Sequence, residues 1–196
     1  KAININPDSY FAYHNRGVSK SYLKDYKGAI TDYTKSININ PDFIDTYNNR
    51  GMVKVELKDY KGAISDFTKA ININPDSYSA YVKLGRVKHF YLKDYTGAIS
   101  DYTKAININP DYYYAYVNRG QLKMILKELT GAISDYTKAI NINPDFYNPY
   151  VLRGAVYVTL GDNARGCSDF TKASCLGFQK STLYINVLQM IKQSCD

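Results

Sequence analysis

Apolar and polar positions return along this chain in a block that is copied five times, and each block divides into two runs with helical spacing. Residues 8–41 read DSYFAYHNRGVSKSYLKDYKGAITDYTKSININP, and residues 42–75, DFIDTYNNRGMVKVELKDYKGAISDFTKAININP, keep most of that pattern. Both halves place apolar residues on one helical face, so each block predicts a helical hairpin. Pro7, Pro41, Pro75, Pro110 and Pro144, each followed by aspartate, stand 34, 34, 35 and 34 residues apart. A unit of that period buries its apolar face against its neighbours and leaves an extended surface instead of one closed pocket.

Local signals divide each block. Asp8, Asp42, Asp76, Asp111 and Asp145 follow the prolines and are expected to cap the first helix, accepting from its free amides. The segments at Lys24–Tyr26, Lys58–Tyr60 and Lys93–Tyr95 are expected to cap the second. Gly17, Gly51, Gly85, Gly120 and Gly154 fall inside the first helix, where glycine costs about 1 kcal/mol relative to alanine. Close packing must offset that cost, and Ala29, Ala63, Ala98, Ala132 and Gly166 are the expected partners. Tyr13, Tyr47, Tyr81, Tyr116 and Tyr150, with Tyr33, Phe67, Tyr102, Tyr136 and Phe170, recur once per block at fixed phase and read as core.

This arrangement resembles the tetratricopeptide repeat, whose framework sets a large residue, a small glycine, an aromatic, an alanine, an aromatic, an alanine and a proline at fixed phase. The resemblance runs from residue 7 to about 176. Tyrosine stands where the family often has tryptophan, and Lys20, Lys54, Lys88 and Lys123 stand where an aromatic is common. The resemblance implies an all-α fold, a right-handed superhelical α-solenoid of antiparallel helix hairpins. Five repeats are expected at about 8–41, 42–75, 76–110, 111–144 and 145–178.

The ends and one insertion modify the plan. KAININ at 1–6 matches 69–74 and 138–143, so it reads as the end of a preceding repeat and the chain as a fragment. Lys180–Ile191, with Leu183, Ile185, Val187, Leu188 and Ile191 at helical spacing, is expected as a capping helix within 179–196. The third block counts one residue more between Gly85 and Leu92 than the first does between Gly17 and Leu23, which predicts a lengthened helix end near His89–Tyr91.

Charge changes the picture little. The net charge is +7, but much of the excess is lysine repeated at turns and on second helices, so solvated faces are favoured over phosphate binding. The apolar runs are too short to insert in a membrane. Arg16, Arg50, Arg119 and Arg153 precede the repeat glycines, while Asp32, Asp66, Asp101, Asp135 and Asp169 recur on second helices. Their phase predicts planar two-bond pairs between helices. Leu84 replaces the arginine in the third block, so a buried Asp101 is expected to borrow another cation.

Catalysis finds no constellation. His14 and His89 are more than two repeats apart, no phosphate loop or metal-ligand spacing occurs, and neither cofactor nor metal is expected. An antiparallel capping helix would bring Cys195 towards Cys167. Such a disulfide would indicate a periplasmic or extracellular setting; free thiols, the other reading, would indicate the cytoplasm.

The resemblance implies a protein-interaction scaffold with first helices lining a concave groove. Its groove phases fall on Phe11, His14, Val18 and Tyr22, then Asp45, Asn48, Met52 and Glu56. They continue on Val82, Arg86, His89 and Phe90, then Tyr114, Val117, Gln121 and Met124. Asn15, Asn49 and Asn118, with Lys83 in the third copy, are similar to the asparagine ladder of the tetratricopeptide arm of O-linked N-acetylglucosamine transferases. Carboxamides both donate and accept, so such a row suits an extended peptide backbone. The groove lacks the cation and asparagine pattern of the clamp that holds heat-shock-protein tails. An extended or helical peptide with apolar anchors is the expected partner. End-to-end stacking into a homo-oligomer is the structural alternative, and nucleic acid ranks below both.

Overall fold

The computed structural model describes residues 8–177, and among these the regular structure is helical throughout. The expected capping helix and Cys195 lie outside the described residues. The chain divides into two compact units, residues 1–108 and 109–196. In the first unit, α1 (Tyr10–Tyr22) pairs with α2 (Tyr26–Ile39), α3 (Ile44–Glu56) with α4 (Tyr60–Ile73), and α5 (Tyr78–Val87) with α6 (Tyr95–Ile108). In the second, α7 (Tyr113–Ile125) pairs with α8 (Leu129–Ile142), and α9 (Tyr147–Thr159) with α10 (Asn163–Cys175).

Each hairpin shares its interior with the next one in its unit. Ala29 and Tyr33 of α2 pack with Val53 of α3, and Phe67 of α4 packs with Leu84 and Val87 of α5. In the second unit, Tyr136 of α8 meets Val156 of α9. Phe67 is fully buried, which stabilises by about 1.5–3 kcal/mol relative to leaving it in water.

The helix-internal glycines answer to these rings. A Cβ on Gly17 would stand 2.7 Å from Tyr33 Cε1, and one on Gly51 would stand 2.6 Å from Phe67 Cε1. The aromatic of the second helix thus lies nearest to the glycine, and Ala29, Ala63, Ala98 and Ala132, the expected partners, are fully buried. In the fifth hairpin the expected small pair is seen directly, since a Cβ on Gly154 would stand 3.1 Å from the Gly166 carbonyl oxygen.

First-helix caps also shift by one residue. Ser9, Phe43, Ser77, Tyr112 and Phe146 occupy the cap position, and of these the Ser9 hydroxyl accepts from the Ala12 amide. The amides of Asp42, Asp76, Asp111 and Asp145 instead donate to Asn40, Asn74, Asn109 and Asn143 Oδ1, closing turns two residues long. Second-helix caps follow expectation. Asp25, Asp59 and Asp94 accept from Gly28, Gly62 and Gly97, and Asp162 does the same for Arg165. Glu128, a methylene longer, caps α8 without a side-chain bond.

Between the helices of each hairpin the chain passes through the left-handed region. Lys24, Lys58, Lys93 and Lys127 have φ of 62, 62, 58 and 63°, and Gly161 serves the fifth hairpin at 81°. The extra residue of the third copy is taken up as a π-helical turn over Lys88–Leu92. A lengthened helix end was expected there; the finding adds that the surplus residue widens one turn.

Arginine–aspartate pairs form as expected. Arg50 donates to Asp66 through Nε at 3.0 Å and Nη2 at 2.7 Å, and Arg16–Asp32, Arg119–Asp135 and Arg153–Asp169 repeat the fork. Lys20, Lys54 and Lys123 add a second cation to Asp32, Asp66 and Asp135. Asp101, lacking an arginine, keeps only the lysine of the phase used in the other copies, Lys88 at 2.8 Å; the further cation expected to replace the arginine is not found among the described residues. Burial pushes the Asp101 carboxyl up, against the pull of Lys88. Asp32 feels burial too, but hydrogen bonds from Arg16 and Lys20 outweigh it and hold its carboxyl below the usual range. Cys167 is disulfide-bonded and Cys175 is free and exposed, while Cys195, the expected partner of Cys167, lies beyond the described residues.

Candidate functional site

In the first unit, α1, α3 and α5 lie side by side, and two clefts cross them. One, of about 240 Å³, is lined by Val18, Ser21, Tyr22, Tyr33, Asn49 and Met52. The other, narrower at about 50 Å³, is lined by Met52, Val55, Glu56, Lys83, Arg86, Val87 and Tyr91. Met52 belongs to both, which makes them one groove.

The groove brings together Val18, Tyr22, Asn49, Met52, Glu56, Lys83 and Arg86 of the expected set. Phe11, Asn15 and Phe90 are exposed outside its lining. His14, Asn48 and His89 are corrected from groove to interior, since they are 7%, 5% and 5% exposed. His14 Nδ1 lies 2.9 Å from Thr46 Oγ1, and its ring meets Phe43 edge-on. Burial lowers the pKa of both imidazoles, against a raising field from Asp45 at His14 and helped by Lys93 at His89. Val82 and Val117 are buried as well.

The remaining candidates belong to the second unit. Tyr114 is exposed within an aromatic group with Tyr112, Tyr113 and Phe146. Asn118 and Gln121 are half-buried, and Met124 packs on the core of Ala132, Tyr136 and Val156. Two further clefts, lined by Pro75, Asp76, Tyr81 and Lys104 and by Pro110, Asp111, Tyr116 and Lys138, occupy the same phase in successive copies. Their recurrence ties them to hairpin geometry.

The carboxamides of Asn15, Asn49 and Asn118 make no hydrogen bond among the described residues, unlike those of Asn40, Asn74, Asn109 and Asn143, which close the turns. Tyr91 was missed by sequence reading. It stacks on Tyr60 with ring centroids 4.5 Å apart, a placement that follows from the π-helical turn. The insertion in the third copy was the available signal.

Residues 12–43 and 44–77 match family models described as tetratricopeptide repeat, and 88–124 and 120–161 match one described as TPR repeat. The chain belongs to the tetratricopeptide-repeat family. No curated relative matches it by sequence. Among solved structures, a crystal structure of MamA protein is similar at 27% identity with a TM-score of 0.76, covering 87% of this chain and 92% of that one. YrrB, described as a TPR protein with an unusual peptide-binding site, is similar at 20% identity and a TM-score of 0.75, covering 98% and 96%. PilF of Pseudomonas aeruginosa is similar at 15% and 0.80, covering 93% and 84%. The last two show the fold alone. The tetratricopeptide array is thus of the all-α helical-repeat class, a fold of protein-interaction scaffolds that are in general not enzymes. Among the described residues no helix is long and apolar enough to cross a membrane.

Proposed function

We propose that this tetratricopeptide array binds an extended or helical peptide segment of a partner protein across α1, α3 and α5. The observation that carries the reading is the groove joined at Met52, whose wall combines apolar side chains with the unspent carboxamide of Asn49. Apolar anchors supply affinity and carboxamides bond a peptide backbone without reading its side chains. Tyr22, 85% exposed at the mouth of the groove, offers an aromatic face with few rotamers to immobilise. YrrB, a fold neighbour described as peptide-binding, is in keeping with this use but does not carry it.

Selection from a displayed random peptide library tests the reading. Selected peptides should bind the native array and lose about tenfold or more in affinity to a Tyr22→Ser/Asn49→Ala variant with unchanged thermal stability. Both side chains lie outside the core, so that variant should fold. Equal binding by the two proteins would place the contact elsewhere.

A further inference from the structure

Two exposed aromatic triads of the same build stand at the starts of first helices, one in each unit. In the first, the Tyr10 ring meets Phe43 edge-on at 5.1 Å and 67°, and Phe11 tilts against Phe43 at 6.3 Å and 55°. In the second, Tyr113 meets Phe146 at 5.3 Å and 61°, and Tyr114 meets it at 5.5 Å and 63°. Each triad thus joins the first two residues of one first helix to the cap residue of the next. The repeat itself does not demand this. The equivalent positions of the second and third copies read Ile44, Asp45 and Ser77, and those of the third and fourth read Tyr78, Ser79 and Tyr112.

The outer ring of each triad stays in water, Phe11 at 55% exposure and Tyr114 at 42%. None of the six rings lines either half of the groove across α1, α3 and α5. Charge on these stretches has one sign. Residues 8–13, 42–49, 111–118 and 145–152 contain no lysine or arginine, while Asp42 and Asp145 directly precede Phe43 and Phe146. Both carboxylates are exposed and form no ion pair among the described residues.

Rings this close are packed on one another, so no cation can be enclosed between them as in an aromatic cage. What they offer is outer faces meeting at an angle. A flexible aliphatic side chain would lose rotamer freedom on such an open notch without gaining an enclosing pocket. A polyproline II segment is already extended and ordered, and its flat rings suit aromatic faces. We propose that each triad docks a proline-rich segment of a partner protein, with proline against Phe11 and Phe43 in the first and against Tyr114 and Phe146 in the second. A basic residue of the segment lies beside Asp42 or Asp145. The chain then carries two sites for one ligand chemistry, and both are independent of the groove reading.

The probe is a synthetic peptide of about twelve residues, proline with arginine at every third place, so that the arginines share one edge of the three-residue turn. Calorimetric titration of the native chain should show two peptides bound, saturably and with Kd below about 1 mM. Phe11→Ser and Tyr114→Ser should each remove one of the two, and the double variant both, with thermal melts little changed because these are the exposed members of the triads. Glycine in place of the peptide's prolines should weaken binding about tenfold or more, because the segment is no longer ordered in advance. The Tyr22→Ser/Asn49→Ala variant should still bind two. No saturable binding, a stoichiometry of one, equal binding of the glycine peptide, or two sites surviving in Phe11→Ser/Tyr114→Ser overturns the inference. Loss of the peptide in the Tyr22→Ser/Asn49→Ala variant, with both triads intact, places the segment in the groove and overturns it while the groove reading stands.

Discussion

Four of the five hairpins place a lysine where a glycine would sit without strain. Lys58 stands at φ 62° between α3 and α4, exposed to solvent, and it makes no side-chain hydrogen bond or ion pair among the described residues. Its amide donates to the Val55 carbonyl at 2.9 Å and the next amide, of Asp59, donates to Lys54 at 2.8 Å, so the backbone bonds that close the helix need this conformation. A side chain bearing Cβ costs about 1–2 kcal/mol there. Replacement by glycine relieves that cost and restores about 0.4–1 kcal/mol of unfolded-chain entropy, so Lys58→Gly should stabilise by about 0.5–1 kcal/mol. For a chain of this length the gain amounts to roughly 1–4 °C in thermal midpoint. Lys58→Ala separates conformation from charge, because it removes the ammonium and keeps Cβ. The measurement is parallel thermal and urea melts of native, Lys58→Gly and Lys58→Ala proteins. Equal stabilisation by alanine and glycine would refute the conformational argument and assign the effect to charge. Gly161, which already fills this place in the fifth hairpin, should be the reverse case, with Gly161→Lys destabilising by a similar amount.

Three other outcomes follow from the packing. The Tyr102 and Tyr136 hydroxyls are buried and lack partners among the described residues, whereas Phe67 and Phe170 fill the same phase without one, so Tyr102→Phe and Tyr136→Phe should be neutral or stabilise by about 1 kcal/mol in urea melts. Gly51→Ala should destabilise by about 1–3 kcal/mol, because its new methyl would stand 2.6 Å from Phe67 Cε1 in a ring held on all sides; a change below 0.5 kcal/mol would show that the ring yields. His14 and His89 are held neutral by burial, so their folded pKa values lie below the ordinary imidazole value of about 6.5. Their contribution is complete above that value and is lost as pH falls through the lowered pKa; amide hydrogen exchange should show α1 and the Lys88–Leu92 turn opening more readily at pH 5 than at pH 7, and His14→Gln/His89→Gln should flatten that difference.

Much of the scaffold could be read from periodicity because the same physical demand recurs once per hairpin. The arginine before the glycine and the aspartate on the second helix keep a constant separation, whereas Asp101, in the one copy that breaks the rule, is left with the lysine that the first, second and fourth copies also place there. Demands satisfied by neighbours at short range were less legible. Nothing in composition distinguishes an aspartate that caps a helix from one whose amide is taken by the asparagine two residues before, and the cap fell one residue later than expected at Ser9 and Phe43. The close approach of Tyr33 to Gly17 and of Phe67 to Gly51 was not legible either, because periodicity marked those rings only as core. Small rotations decided the groove: Asn49 and Met52 line it, whereas Asn48, about 100° round the helix from Asn49, is buried, and His14, one turn before Val18, is buried against Thr46. Tyr91 could not be placed from repeat phase, since it follows the inserted residue.

That insertion is confined to a single turn. An added residue in an ordinary helix would swing everything beyond it by about 100°, but here the amide of Asp94 reaches back to the Lys88 carbonyl, Lys93 keeps the left-handed conformation of its counterparts, and Asp94 accepts from Gly97 as Asp59 does from Gly62. The hairpin thus takes up one extra residue where Tyr91 enters the cleft wall, while α6 starts in its customary register.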